Sequence, residues 1–77
     1  MHEQDVIALV GDALGIPHDR LGRDSTNLDF AEWDSMGMLS LATMLDGQGI
    51  AIEPGDGRVL QSLRALLGAF RKAGKLA

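Results

Sequence analysis

In EQDVIALVGDAL, residues 3–14, the apolar positions Val6, Ile7, Leu9, Val10, Ala13 and Leu14 recur at helical intervals. Glu3 and Asp5 stand in the first turn, where the helix dipole favours anions, and Gly15 and Pro17 close the segment. The spacing predicts a helix over 3–14. Residues 15–33 lose the period and are rich in Gly, Asp, Ser and Asn, which predicts a long loop pinned to the core by Ile16, Leu21, Leu28 and Phe30. A loop of that length in so small a domain is uncommon and often functional. A second helix is expected from Asp34 to Asp46, because Asp34 and Ser35 are both favoured N-cap residues and Gly47 and Gly49 supply a stop. The run IAI at 50–52 then leads into EPGDG, a turn or one irregular helical turn. Val59, Leu60, Leu63, Leu66, Leu67 and Phe70 predict a last helix over 59–72, with Gly74 placed to end it. No alternating strand pattern occurs. The pattern describes one all-α domain over residues 1–77, a small three- to four-helix bundle around a single core.

The second helix carries apolar residues on two sides. At 100° per residue, Met38, Leu41, Ala42 and Leu45 share one arc, as a core-facing stripe should. The opposite side holds Met36, Leu39, Ser40, Thr43 and Asp46, with Ser35 at its N-terminal end. Scattered surface hydrophobes are ordinary. Two of them beside a polar serine also describe a docking surface. Trp33 has two places open to it: the core, which is the slightly stronger reading, or the rim of that surface, where its indole N–H needs no buried partner.

Size and composition narrow the chemistry. A chain of 77 residues buries only about 60% of its unfolded surface. An enzyme-like pocket of roughly 300 Å³ or more is hard to carve from such a core, so a self-sufficient enzyme is not expected and no catalytic residue is assigned. There is no cysteine, which removes disulfides and thiolate metal sites. His2 and His18 have no partner at metal-ligand spacing, so no metal site is assigned. No apolar run approaches a membrane span and no signal-peptide pattern is present, so a cytoplasmic, monomeric protein is expected. Net charge is −4, with all eleven acids between Glu3 and Asp56 and five of seven bases from Arg58 onward. That basic end lacks the aromatic interleaving of a nucleic-acid module. Arg71, Lys72 and Lys75 fall where cations complement the C-terminal end of the last helix.

Ser35 is the residue with chemistry to offer. A helix N-terminus presents unpaired N–H groups and partial positive charge, and so tolerates an esterified phosphate. The carboxylate of Asp34 is a natural Mg²⁺ ligand beside that hydroxyl. Asp34-Ser35-Met36 at the head of a second helix resembles the Asp-Ser-Leu motif of acyl carrier proteins and their peptidyl and D-alanyl relatives. The resemblance extends over the whole chain: amphipathic first helix, long pinned loop, serine-headed helix, short IAIEP connection and aliphatic last helix. It implies that Ser35 carries a 4′-phosphopantetheine arm, set there from coenzyme A by a Mg²⁺-dependent phosphopantetheinyl transferase with Asp34 assisting. The arm's thiol would hold an acyl or aminoacyl thioester for loading enzymes, synthases or acyltransferases. Trp33, Met36, Leu39, Ser40, Thr43 and Asp46 would then meet those partners.

The departures from the family pattern point to a specialised carrier. Met36 replaces the usual Leu, and Glu32-Trp33 replaces the Leu-Gly-Ala or Leu-Gly-Ile run of fatty-acid carriers. Where those carriers line the second helix with glutamates, this chain has Ser40, Asp46 and Gly47. Docking is therefore expected to be more apolar than electrostatic. The alternative is a small helical interaction module in which Ser35 is only a helix cap.

Overall fold

The computed structural model describes residues 1–52 and 57–76. Helix α1 spans Glu3–Leu14, the predicted segment. The His2 N–H donates to Asp5 Oδ2 at 2.8 Å, which fixes the first turn. At the other end Gly15 takes a left-handed conformation (φ 71°), and the Ile16 N–H donates to the Gly11 carbonyl at 2.9 Å. That turn sends Ile16 back into the core beside Val6, Ile7, Val10 and Leu14.

The loop that follows is tied down along its length. Ile16 and Leu21 are buried and Phe30 is half-buried, with the Arg20 guanidinium 5.3 Å from the Phe30 ring centroid. Leu28 is not a pin, contrary to the pattern: it is 89% exposed. It lies in a turn closed by the Asp29 N–H donating to the Thr26 carbonyl at 3.1 Å, and Trp33 delivers this end of the loop to the core instead. Arg23 grips Glu3 with two hydrogen bonds, 2.9 and 3.1 Å, and this contact raises the Arg23 pKa. Arg64 pairs with Asp24, and Arg20 stands 3.8 Å from Glu32. The Asn27 N–H donates to the Gln61 carbonyl and the Leu63 N–H to the Ser25 carbonyl, each at 2.9 Å. These two bonds form one isolated antiparallel bridge between Thr26 and Ser62.

Helix α2 spans Ser35–Gly47. Leu41 and Leu45 of its predicted inner stripe are buried, and Met38 and Ala42 are half-buried. Gly49 follows with φ 78°, and Ile50 folds back so that its N–H reaches the Leu45 carbonyl at 2.9 Å.

The last helix starts later than the spacing predicts. Gly57–Leu60 forms a 3-10 turn, and α3 runs only from Leu63 to Lys72. Ser62 separates them in extended conformation, its Oγ accepting the Ala65 N–H at 3.1 Å. Val59 and Leu60 still touch the core, so an unbroken helix is replaced by a turn plus a capped helix. Part of the expected EPGDG turn, residues 53–56, lies outside the described residues. Leu63, Leu66, Leu67 and Phe70 line the buried face of α3. Arg71 and Lys72 fall in its last turn, as expected.

Helix α1 lies against both α2 and α3, and the 3-10 turn sits against both of these as well. The fold is all-α, with three helices and two short 3-10 turns (the other is His18–Arg20) among the described residues. None of its helices is long and apolar enough to cross a membrane, among the residues described.

Candidate functional site

Asp34 holds the cap position of α2. Its backbone is extended (φ −100°, ψ −165°), its Oδ1 accepts the Gly37 N–H at 2.9 Å, and its carbonyl accepts the Met38 N–H at 2.8 Å. Ser35 is therefore the first helical residue and is not the cap. Its side chain is exposed. The cap role that the sequence left open to either residue falls to the carboxylate, and the hydroxyl stands at the positive end of the helix facing solvent.

Two residues hold that end of the helix in place. Trp33 is 1% exposed, and its indole N–H donates to the Leu60 carbonyl at 2.8 Å. This corrects its assignment to a partner-binding surface: the largest side chain in the chain is a core anchor whose one polar atom is satisfied from inside. It fastens the residue two before Ser35 to the 3-10 turn. Gly37 is the residue that the sequence reading missed. A Cβ there would lie 2.6 Å from the Glu32 carbonyl oxygen and 2.8 Å from Leu14 Cδ2. Only a glycine lets the first turn of α2 approach both the preceding loop and α1 so closely. The signal was present, since a glycine inside a helix is unfavourable by about 1 kcal/mol relative to alanine and needs a packing reason.

On the outer side of α2, Met36 is 72% and Leu39 62% exposed, and Ser40, Thr43 and Asp46 are exposed too. The Thr43 hydroxyl donates to the Leu39 carbonyl at 3.1 Å, so it is already engaged with its own helix. Asp46 is the single carboxylate within α2. The structure thus brings Ser35, Met36, Leu39, Ser40, Thr43 and Asp46 onto the outer side of α2, with Asp34 at its cap, and removes Trp33 from the set.

A family model described as the phosphopantetheine attachment site matches residues 4–70. Neither the curated proteins nor the solved structures compared with the chain give a match. Members of that family are non-catalytic carriers that hold 4′-phosphopantetheine covalently. With nearly the whole chain matched, and with a bundle that leaves a hydroxyl open at a helix start, this protein belongs to the phosphopantetheine-attachment family of carrier domains.

Proposed function

We propose that Ser35 is the residue that carries the arm, and that the domain presents a thioester-bound acyl or aminoacyl group to partner enzymes in a specialised biosynthetic pathway of the cytoplasm. The observation that supports this best is the division of labour at the start of α2. Asp34 makes the cap hydrogen bond, and the Ser35 hydroxyl is exposed where helix N–H groups favour a phosphate. In the transfer, Ser35 Oγ forms a bond to the phosphorus of the pantetheine phosphate in coenzyme A. The pyrophosphate bond breaks, adenosine 3′,5′-bisphosphate leaves, and the hydroxyl proton passes to a base of the transferase. Asp34 has one carboxylate oxygen committed to Gly37. Its second oxygen is a hard donor of the kind Mg²⁺ takes from a carboxylate. Met36, Leu39, Ser40, Thr43 and Asp46 form the surface that partners read. Its single acid supports a specialised carrier with apolar docking.

Incubation with coenzyme A, Mg²⁺ and a broad-specificity phosphopantetheinyl transferase, followed by intact mass, tests the attachment point. One adduct is expected on the wild type and none on a folded Ser35→Ala. A folded wild type that stays unmodified, or a Ser35→Ala chain that still gains the adduct, overturns it.

A further inference from the structure

The apolar period of the last helix runs from Val59 to Phe70, yet the helix itself starts only at Leu63. In an unbroken helix each carbonyl accepts the N–H four positions on. A helix continued back through Val59 would therefore commit the Leu60 carbonyl to the Arg64 N–H. Instead Leu60 ends the 3-10 turn, Ser62 is extended and caps α3, and the Leu60 carbonyl accepts the Trp33 indole N–H at 2.8 Å.

What the break makes available is a fixed point for the chain entering α2. Trp33 is 1% exposed, so an opened bond would strand its indole N–H inside the core, and that penalty keeps the bond closed. The main-chain N–H of the same residue donates to the Phe30 carbonyl at 3.1 Å and holds the preceding turn. Glu32 on one side lies close against Gly37, and Asp34 on the other caps the helix through the Gly37 N–H. Ser35 follows directly. The turn Gly57–Leu60 that supplies the carbonyl also packs against α2. One element, 27 residues along the chain from Trp33 at its Leu60 end, therefore holds both the helix that carries the serine and the segment that leads into it.

Attachment is sensitive to such a constraint. The attacking oxygen must line up with the phosphorus and the leaving group, and a displacement of about 1 Å costs on the order of a hundredfold in rate. Leu41 and Leu45 fix α2 in the core further along. Helix ends fray, and Ser35 stands in the first turn. We propose that Trp33 is a positioning residue for the modification: its indole N–H, bound to the carbonyl that the break at Ser62 leaves free, fixes where the Ser35 hydroxyl stands. This rests on Ser35 being the attachment point.

The chain has one tryptophan, so biosynthetic replacement by 3-benzothienylalanine exchanges the indole N–H for sulfur at Trp33 alone and keeps the ring. The test is the single-turnover rate with coenzyme A and Mg²⁺, followed by intact mass as a broad-specificity transferase is raised to saturation. Wild type, the sulfur analogue, Trp33→Phe and Phe70→Leu are compared, each checked by circular dichroism to be folded at the assay temperature. Phe70 is fully buried in α3, so Phe70→Leu loosens the core and leaves the Trp33–Leu60 bond in place. The analogue and Trp33→Phe should lower the saturated rate about tenfold, by misalignment. Their half-saturating transferase concentration should stay near that of wild type, because the outer face of α2 is unchanged. Phe70→Leu should keep the wild-type rate. A folded analogue with the wild-type saturated rate overturns the positioning role and leaves the attachment point standing; should the analogue not fold, Trp33→Phe is judged by the same outcome. A Phe70→Leu chain slowed as much as the analogue also overturns it, since general loosening would then be the cause. A wild type that stays unmodified, or a Ser35→Ala chain that gains the adduct, removes the attachment point itself.

Discussion

An added methyl group at Gly37 meets backbone on one side and α1 on the other, at 2.6 Å from the Glu32 oxygen and 2.8 Å from Leu14. The carbonyl cannot rotate away as a flexible side chain would. Gly37→Ala should cost about 1–3 kcal/mol in overpacking, partly offset by about 1 kcal/mol of better helix propensity. The net result is a lower melting temperature and slower modification, because α2 must shift away from the loop that positions Asp34. Gly68 is the control. It lies within α3, and a Cβ there meets nothing within 4 Å. Gly68→Ala should therefore stabilise by about 0.5–1 kcal/mol in thermal or urea unfolding. If the two substitutions behave alike, the close approach at Gly37 is not what selects glycine there. Asp34 admits a similar separation of roles. Loss of its cap bond in Asp34→Ala should cost about 1 kcal/mol of stability, and loss of its carboxylate should also abolish modification. An Asp34→Ala chain that folds and is modified at the wild-type rate would leave Asp34 a cap and nothing else.

Among the helices, α3 shows how a short polar signal overrides a long apolar one. The period from Val59 to Phe70 predicts one rod, yet Ser62 divides it. The serine is worth about 1 kcal/mol as a cap. Its extended backbone also allows the bridge to Thr26, which an unbroken helix would forbid. Ser62→Ala should therefore lower stability by about 1 kcal/mol in chemical unfolding. Leu63, fully buried directly after the cap, should cost about 2–5 kcal/mol as Ala. In a domain of this size that approaches the whole folding free energy. An unmoved melting curve for Leu63→Ala would mean that α3 does not pack as described. The contrast explains what was legible beforehand. Helix α1 has acids at one end, Gly-Pro at the other and an uninterrupted period between, and its limits are read directly. Ser35 and the two faces of α2 were likewise visible, because periodicity reports which side of a helix is apolar. Leu28 and Trp33 sit in a loop without period, where hydrophobicity alone does not say which side chain turns inward. That choice was made by the Thr26–Asp29 turn and by the Leu60 carbonyl, both of them tertiary facts.

Across the whole molecule, the net charge of −4 conceals how the acids are used. Glu3, Asp24 and Glu32 each face an arginine, and Asp12 meets His18 at 2.9 Å. The Glu3, Asp12 and Asp24 contacts hold the loop to α1 and α3, the Arg20–Glu32 pair lies within the loop, and the α2 face is left with Asp46 as its single carboxylate. Folding and docking should therefore respond differently to salt. Exposed ion pairs contribute about 0–1 kcal/mol each and are screened, so stability should fall slightly as salt rises. On the proposed surface, docking through Met36 and Leu39 would carry little of its attraction as charge. From about 50 mM to about 500 mM salt the screening length falls by roughly a factor of three, yet the KM of the chain for a transferase should change by less than about threefold. Met36→Ala at constant salt should raise that KM by more than the full salt range does, while leaving the melting temperature near that of the wild type, because Met36 is 72% exposed. Since steering by a charged surface acts mainly on the association rate, stopped-flow binding makes the distinction sharper. An association rate that collapses with salt would place the recognition in Asp46 and the loop acids, and the apolar face of α2 would lose its role.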